Sequence, residues 1–267
     1  MKFELRNSTL EEKDSSIFSN LFEAIRPSIE PTYKYKQGNC HNLAHYVSLQ
    51  LVKAGVAHKK IWIYAPSRIL ADSKTPLSLL DVNKLSPTGM LTWGYHVALW
   101  IEHGDKAVIF DFMLDEKKPL SLSEWLAVFG LTTYKIDIQD ADKYLFYGIK
   151  CESKKTTLFS GNYFPYEGAC QEQAWIAKGL AVNETAYEFF MQEQEHFLND
   201  TDLSEAYRLM VGRVINFECV FRDFSTNKRM SQSFQRKHRQ IIEQYREVYA
   251  EKLEKWQIRL NAILNPC

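Results

Sequence analysis

Strand-like and helical segments occupy different parts of this sequence, and this separation restricts the fold more than any other feature. Runs rich in aromatic and β-branched residues are typical of strands, and they occur at Lys60–Ala65, Tyr95–Ile101, Ala107–Leu114, Tyr134–Ile138 and Tyr144–Ile149. From about Gln171 to Leu264 the apolar spacing is almost wholly helical. The pattern predicts an α+β fold, an N-terminal helix packed on an antiparallel sheet, followed by an all-helical portion.

Helix signals and breakers predict how the strands are connected. Helices are expected over residues 10–25, ending at Pro27, over His41–Ala54 with Gly55 after its last turn, and over Ser121–Phe129. The stretch from Pro66 to Thr92 is interpreted as a long loop, and Gly161–Gly168 as a hinge. We therefore expect an α+β domain over residues 1–165 and a helical domain over residues 166–267, the latter a candidate for substrate or partner recognition.

Composition excludes some classes of function. Lys+Arg and Asp+Glu both number 33, so no global charge favours nucleic acid, and none is expected as a partner. The N-terminal residues are too polar for a signal peptide, and no apolar run is long enough to span a membrane. The 5 cysteines contain no CxxC pair, which favours a reducing compartment. The expected location is the cytoplasm of the producing cell; export without an N-terminal signal stays open, and so does the oligomeric state.

Asp111 interrupts a strand that is otherwise apolar on both faces. Such a strand is usually central, where an ionised carboxylate is costly unless it is paired. The segment Glu102–Lys106 predicts a hairpin to the preceding strand, which carries His96. A loop of His103 and Gly104 puts His96 opposite Asp111, a Gly104-Asp105 loop makes the pair diagonal on one face, and a three-residue loop separates the two residues. A purely structural His–Asp pair is the alternative.

Cys40 precedes or begins the second predicted helix. The dipole at a helix N-terminus favours the thiolate form of a cysteine. Cys40 also continues the apolar stripe of that helix, so it should face the sheet and His96. In this arrangement Cys40 is the nucleophile, His96 exchanges the proton and Asp111 orients the ring. The alternative is that Cys40 is simply a small buried apolar residue, as most free cysteines are.

Three short segments resemble bacterial protein-glutaminases, which are protein glutamine deamidases with a papain-like, transglutaminase-like core. They are Gly38–His45, Trp93–Ala98 and Phe110-Asp111, followed by Pro119–Leu126. The resemblance covers roughly residues 35–130, and the helical portion lies outside it. It implies a papain-like core with Cys40 as nucleophile, His96 as base and Asp111 as orienting acid. It further implies attack on a glutamine carboxamide of a protein substrate, release of ammonia and hydrolysis of a thioester.

Other polar and aromatic residues near these segments are weaker candidates. Asn39 and Gln37 are candidates for oxyanion binding, and Trp93 and Tyr95 for a substrate groove; core or loop roles compete in each case. His41 and His45 share a helix face, but two histidines alone are a poor metal site. No metal or cofactor is expected.

Two other functions fit the same residues. A cysteine peptidase, transglutaminase or other acyltransferase would use the same nucleophile, base and acid, and the shape of the pocket would decide between them. A non-catalytic helical interaction protein, in which the pattern of Cys40, His96 and Asp111 is incidental, is the alternative from another class.

Overall fold

An antiparallel four-stranded sheet forms the centre of the computed structural model. The structure describes residues 4–36, 38–82, 89–151, 156–166, 174–192, 236 and 239–264. The helices are α1 Glu4–Ile29, α2 Cys40–Lys53, α3 Pro66–Ile69, α4 Leu122–Phe129, α5 Ala174–Gln192 and α6 Arg239–Leu264, with a 3-10 turn at Thr32–Lys34. The strands are β1 Lys59–Tyr64, β2 Leu77–Leu80, β3 Met90–Trp93, β4 Tyr95–His103, β5 Lys106–Phe110, β6 Lys135–Asp140, β7 Lys143–Cys151 and β8 Thr156–Pro165. The α+β fold class is confirmed.

The central sheet has the strand order β5-β4-β1-β6, and all neighbours are antiparallel. Side chains alternate between its two faces. One face packs with α1, α2, α5 and α6 and contains Trp62, Val97 and Leu99. The other contains Ile61 and Ala98 and packs with α4, including Trp125. The site described below lies where these two layers meet at the start of β4.

The structure corrects the strand that carries the aspartate. The predicted strand Ala107–Leu114 ends at Phe110, so Asp111 follows β5 and begins a turn, in which the N–H of Leu114 donates to its carbonyl. β5 is also not central in the described part of the chain, because it pairs with β4 on one side and has only an isolated bridge from Ile109 to Leu120 on the other. Apolarity on both faces of β5 therefore reflects cover by two layers and not a central place in the sheet.

Several other boundaries differ from the predictions. α1 continues to Ile29 with Pro27 inside its last turn, where the hydroxyl of Ser28 donates to the Ile25 carbonyl. The expected loop after Pro66 contains α3 and the β2-β3 pair. The first half of the expected hinge at Gly161–Gly168 is wrong, because Gly161 lies within β8, which pairs with β7; residues 167–168 lie outside the described residues.

The C-terminal helices pack directly on the N-terminal half of the fold. α5 contacts α2 and the 3-10 turn, and α6 contacts α5 and α2. Buried Glu184 of α5 accepts a hydrogen bond from the indole of Trp256 in α6 at 2.7 Å. A division of the chain near residue 165 stays a prediction. Among the described residues, no helix is long and apolar enough to cross a bilayer.

Candidate active site

Cys40 is the first residue of α2. The two residues before it, Gly38 and Asn39, both have positive φ, at 88° and 60°. This tight turn directs Cys40 inward, where it is 6% exposed and lines a small cavity with Val97 and Asp111. The sulfur therefore lies at the N-terminal end of a 14-residue helix, where the helix dipole stabilises negative charge.

His96 and Asp111 form a buried pair. His96 Nε2 and Asp111 Oδ2 are 2.7 Å apart, and the two side chains are 1% and 3% exposed. The register of β4 and β5 pairs His103 with Lys106, which makes the loop Gly104-Asp105. Of the registers considered, this is the one that places His96 and Asp111 diagonally on one face. The register with the two residues directly opposite is wrong.

Cys40 lies beside the same imidazole ring. Burial alone would lower the pKa of His96, but the charge and hydrogen bond of Asp111, with a further contribution from Cys40, raise it above its ordinary value. Nδ1 of His96 is buried and has no partner of ordinary hydrogen-bond geometry within the described part of the chain. It is therefore the ring nitrogen available to exchange a proton with the thiol.

The face on which His96 lies was not predicted. Because side chains alternate along β4, His96 lies on the face of the sheet that packs with α4. Its ring is 6.3 Å from the ring of Trp125 and 6.0 Å from the ring of Phe129. Cys40 approaches from the α2 layer. The two side chains meet because His96 is the second residue of β4, at the end of the sheet. The structure thus brings Cys40, His96 and Asp111 together from both layers.

Trp125 is a site residue that the sequence analysis did not single out. Its indole N–H donates to Asp111 Oδ2 at 2.7 Å, and its side chain is fully buried. The same carboxylate receives the N–H of Leu114 on Oδ1 at 3.3 Å. A buried tryptophan needs an acceptor for its N–H, and Asp111 is a carboxylate in an apolar segment that needs donors. The sequence could therefore have suggested this hydrogen bond.

The other predicted site residues, Trp93 and Tyr95, have different surroundings. The Trp93 ring is 5.8 Å from the His96 ring, and Trp93 also lines an open cleft with Arg68 and Gly94. The hydroxyl of half-buried Tyr95 lies 3.4 Å from His41 Nδ1. Burial raises the pKa of Tyr95, and nearby Cys40 raises it further. Gln37 lies outside the described residues.

Asn39 and Asn42 are held away from solvent in a chain of side-chain amides. Asn42 Nδ2 donates to Asn39 Oδ1 at 2.9 Å, and the Tyr144 hydroxyl donates to Asn42 Oδ1 at 2.5 Å. The side chain of Asn39 does not cap α2; it donates instead to Asn183 Oδ1 at 2.9 Å. The backbone N–H groups of Asn39 and Cys40, at the start of α2, are the candidate donors for a developing oxyanion.

The histidines on α2 are occupied by other contacts. His45 Nδ1 is 2.5 Å from the amine of fully buried Lys60, which also donates to the Lys143 carbonyl at 2.7 Å. Burial, followed by the charge of Lys60, lowers the pKa of His41 to about 3 and that of His45 well below its ordinary value. Among the described residues, no group of three or more His, Cys, Asp or Glu side chains is arranged to hold a metal ion.

A thiol at a helix start, beside a buried imidazole that is paired with a carboxylate, is the arrangement found in cysteine hydrolases and acyltransferases. Residues 17–129 match the model of a family described as glutaminase. This match includes Cys40, His96 and Asp111 and ends at the last residue of α4. Over this part of the chain, the resemblance to protein-glutaminases that the sequence indicated is confirmed.

Solved protein-glutaminases are similar at low identity. The NMR structure of protein-glutaminase from Chryseobacterium proteolyticum has 17% identity and a TM-score of 0.39, with 55% of this chain and 80% of that chain covered. A crystal structure of protein-glutaminase has 15% identity and a TM-score of 0.41, with 66% and 85% covered. No curated protein matches the chain. The function therefore has to be inferred from the side chains of the site.

Proposed function

We propose that the chain is a cysteine-dependent hydrolase that converts glutamine side chains of proteins to glutamate. The observation that carries the proposal is the buried 2.7 Å pair of His96 and Asp111 with Cys40 beside the same ring at a helix start. The glutaminase family match over residues 17–129 supports a carboxamide as the substrate group.

The proposed reaction has two halves. The Cys40 thiolate attacks the carboxamide carbon of a glutamine side chain, and backbone N–H groups at Asn39 and Cys40 stabilise the oxyanion. The imidazolium of His96 gives its proton to the leaving nitrogen, the C–N bond breaks, and ammonia departs from a thioester. Neutral His96 then removes a proton from water, the hydroxide attacks the thioester, and glutamate leaves as the thiolate and imidazolium are restored. Asp111 holds the ring through Nε2 throughout.

Aromatic side chains would guide the substrate to the sulfur. Trp93 and Tyr95 both precede His96 closely in sequence, and both are half-buried. In this proposal the Tyr95 hydroxyl contacts the carboxamide of the substrate. A protein bearing an accessible glutamine is therefore the proposed partner.

The test combines ammonia release with mass spectrometry of a glutamine-rich protein substrate. Native enzyme is expected to release ammonia and to shift the mass of the substrate by the amide-to-acid difference, without cutting its chain. Cys40→Ala should abolish both signals, while Cys151→Ala, at the end of β7, should retain them.

Other outcomes separate the competing functions. Chain cleavage would identify a peptidase, and incorporation of an added primary amine without net acid formation would identify an acyltransferase. If Cys40 reacts with iodoacetamide at the same rate in native protein and in His96→Ala, the two residues do not act as a pair and the hydrolase proposal is wrong.

A further inference from the structure

Asn39 adopts a backbone conformation that needs support. Its φ of 60° and ψ of 15° are left-handed, a region that costs a residue with a side chain roughly 1–2 kcal/mol, although asparagine tolerates it better than most. Asn39 is also buried, at 7% exposure. The conformation of Asn39 sets the direction of the backbone into Cys40, so whatever holds Asn39 also holds the proposed nucleophile.

The support comes from α5, far along the chain. Asn183 of α5 is fully buried, and its Oδ1 accepts the side-chain N–H of Asn39 at 2.9 Å. Its own amide N–H group faces the carbonyls of Thr32 and Tyr35, both at 3.4 Å. The donor and acceptor ends of Asn183 therefore each have a defined partner, and the amide has one sensible orientation.

Asn183 completes a directed chain of hydrogen bonds. The Tyr144 hydroxyl donates to Asn42, Asn42 donates to Asn39, and Asn39 donates to Asn183. Each link uses the oxygen of one side chain and a donor of the previous one. Because every member is buried, a missing acceptor at Asn183 would leave an unpaired N–H on Asn39, which costs about 1–3 kcal/mol.

Gly179 shows independently that α5 is fitted to this loop. It lies one helical turn before Asn183 and faces the same amides. A Cβ at Gly179 would approach Asn42 Nδ2 to within 2.0 Å and Asn39 Oδ1 to within 3.0 Å. The helix therefore lies against the loop at a distance that only a residue without a side chain allows.

We infer that Asn183 is a positioning residue for Cys40, acting through the left-handed backbone of Asn39. The inference rests on the proposed function, and it makes α5, which lies outside the glutaminase match at residues 17–129, part of the catalytic unit. A misplacement of about 1 Å can cost about a hundredfold in rate, so loss of a contact that fixes this turn is expected to lower the reaction rate.

The experiment compares two variants of nearly the same shape as asparagine in the full-length chain. Asn183→Leu removes the acceptor, whereas Asn183→Asp keeps an oxygen at the same place and, when protonated in a buried site, also keeps a donor. We expect Asn183→Leu to lower kcat for deamidation about 10- to 100-fold with little change in KM, and Asn183→Asp to restore most of it. The alkylation rate of Cys40 by iodoacetamide should change in the same order.

Thr185→Val is the matched control, because Thr185 is a buried hydroxyl residue of α5 that bonds only the Ala181 carbonyl of its own helix among the contacts described.

Asn39→Gly tests whether Asn183 acts through the backbone of Asn39, since glycine adopts positive φ without support. In that background, Asn183→Leu should have a much smaller effect on alkylation. If Asn183→Leu alone fails to fold, the double variant is compared with Asn39→Gly alone, and nearly equal alkylation rates are expected. Equal losses in Thr185→Val and Asn183→Leu, or equal losses in both backgrounds, would overturn the inference.

Alkylation separates this inference from the proposed function. It reports the placement of the thiol whatever the substrate is. Deamidation that survives Cys40→Ala would refute the proposed function, whereas an alkylation rate insensitive to Asn183 and Asn39 would refute only the positioning role.

Discussion

Asp111 receives both side-chain donors, His96 Nε2 and Trp125 Nε1, on the same oxygen at 2.7 Å. Two donors on one oxygen restrict the rotation of the Asp111 carboxylate. Hydrogen bonds to charged groups contribute roughly twice as much as neutral ones. The precision of the His96 ring therefore depends on Trp125 as well as on Asp111.

Trp125→Phe is the sharpest single-residue test of this dependence. It keeps an aromatic ring in the core and deletes the N–H that reaches Asp111. We expect kcat to fall about tenfold, corresponding to about 1.4 kcal/mol, with KM nearly unchanged. Because Asp111 loses a donor that competes with His96 for the same oxygen, the carboxylate holds the His96 proton more strongly. The alkaline limit of kcat/KM should therefore move to higher pH, since activity is lost as the pH rises through the raised pKa of His96.

Phe129→Leu provides the comparison for Trp125→Phe. Phe129 is buried in the same apolar cluster and close to the His96 ring, but it carries no donor. It should lose stability without a shift of the pH limit. A Trp125→Phe enzyme with native kcat and an unchanged alkaline limit would show that the indole hydrogen bond has no part in positioning His96.

Local sequence patterns could reveal the residues whose side chains are chemically unusual for the segment in which they lie. Asp111 stood out as a carboxylate in an apolar strand, and Cys40 as a thiol at a helix start. Asn183 could not be found in this way, because its significance arises only from a contact with Asn39, 144 positions away. Lys60 was also missed, because a lysine at the start of a strand is ordinarily exposed, yet here it is 1% exposed.

At the scale of elements, α4 is the helix that delivers Trp125. It has only eight residues, so its ends contribute much of its stability. Ser121 accepts the N–H of Glu124, and the Glu124 side chain accepts the N–H of Ser121, which forms a reciprocal capping box. The position of Trp125, one residue later, follows from this cap.

Loss of the cap should therefore affect stability first. We expect Ser121→Ala to lower the free energy of unfolding by about 1 kcal/mol, measured by urea denaturation, with kcat reduced by less than in Trp125→Phe. Ser123→Ala, an exposed position in the first turn of the same helix, is the control and should be close to neutral. An unchanged urea midpoint for Ser121→Ala would mean that packing alone holds α4.

The sequence predicted most elements with a clear periodicity or cap, and it missed α3, the β2-β3 pair and β8. α2, β1, β4 and α4 were each found within two residues of their boundaries, because periodicity and caps agreed. The β2-β3 pair was missed because each strand has only four residues. Pro27 was read as a helix end, but it lies two residues before Ile29, in the last turn.

At the scale of the whole molecule, the four-stranded sheet separates two apolar layers that meet at the site. The helical layer contains an unusual set of buried bases: Lys60, His45 and His41. Burial holds the pKa of Lys60 and of His45 well below their ordinary values. Burial thus disfavours the protonated form of these side chains in the folded state, and the stability of the fold must depend on pH.

The clearest case is His41, whose pKa falls from 6.5 to about 3 on burial beside Lys60. Between these values the unfolded chain binds a proton that the folded chain does not. The free energy of unfolding must therefore fall as the pH falls, by up to about 1.4 kcal/mol per pH unit for this residue. His45 adds to the loss in the same direction. Urea unfolding at several pH values between about 4 and 6 measures the slope.

His41→Gln isolates the contribution of His41, because glutamine keeps a polar group near Tyr95 but takes up no proton in this range. As the pH falls, its free energy of unfolding should decline less steeply than that of the native protein. The two slopes should differ by the contribution of about one proton, about 1.4 kcal/mol per pH unit. Cooler or warmer conditions should leave the difference in place, since it reflects proton binding and not packing. Parallel slopes for the two proteins would mean that His41 is protonated equally in the folded and unfolded states, and the acid sensitivity would then belong to His45 and the carboxylates.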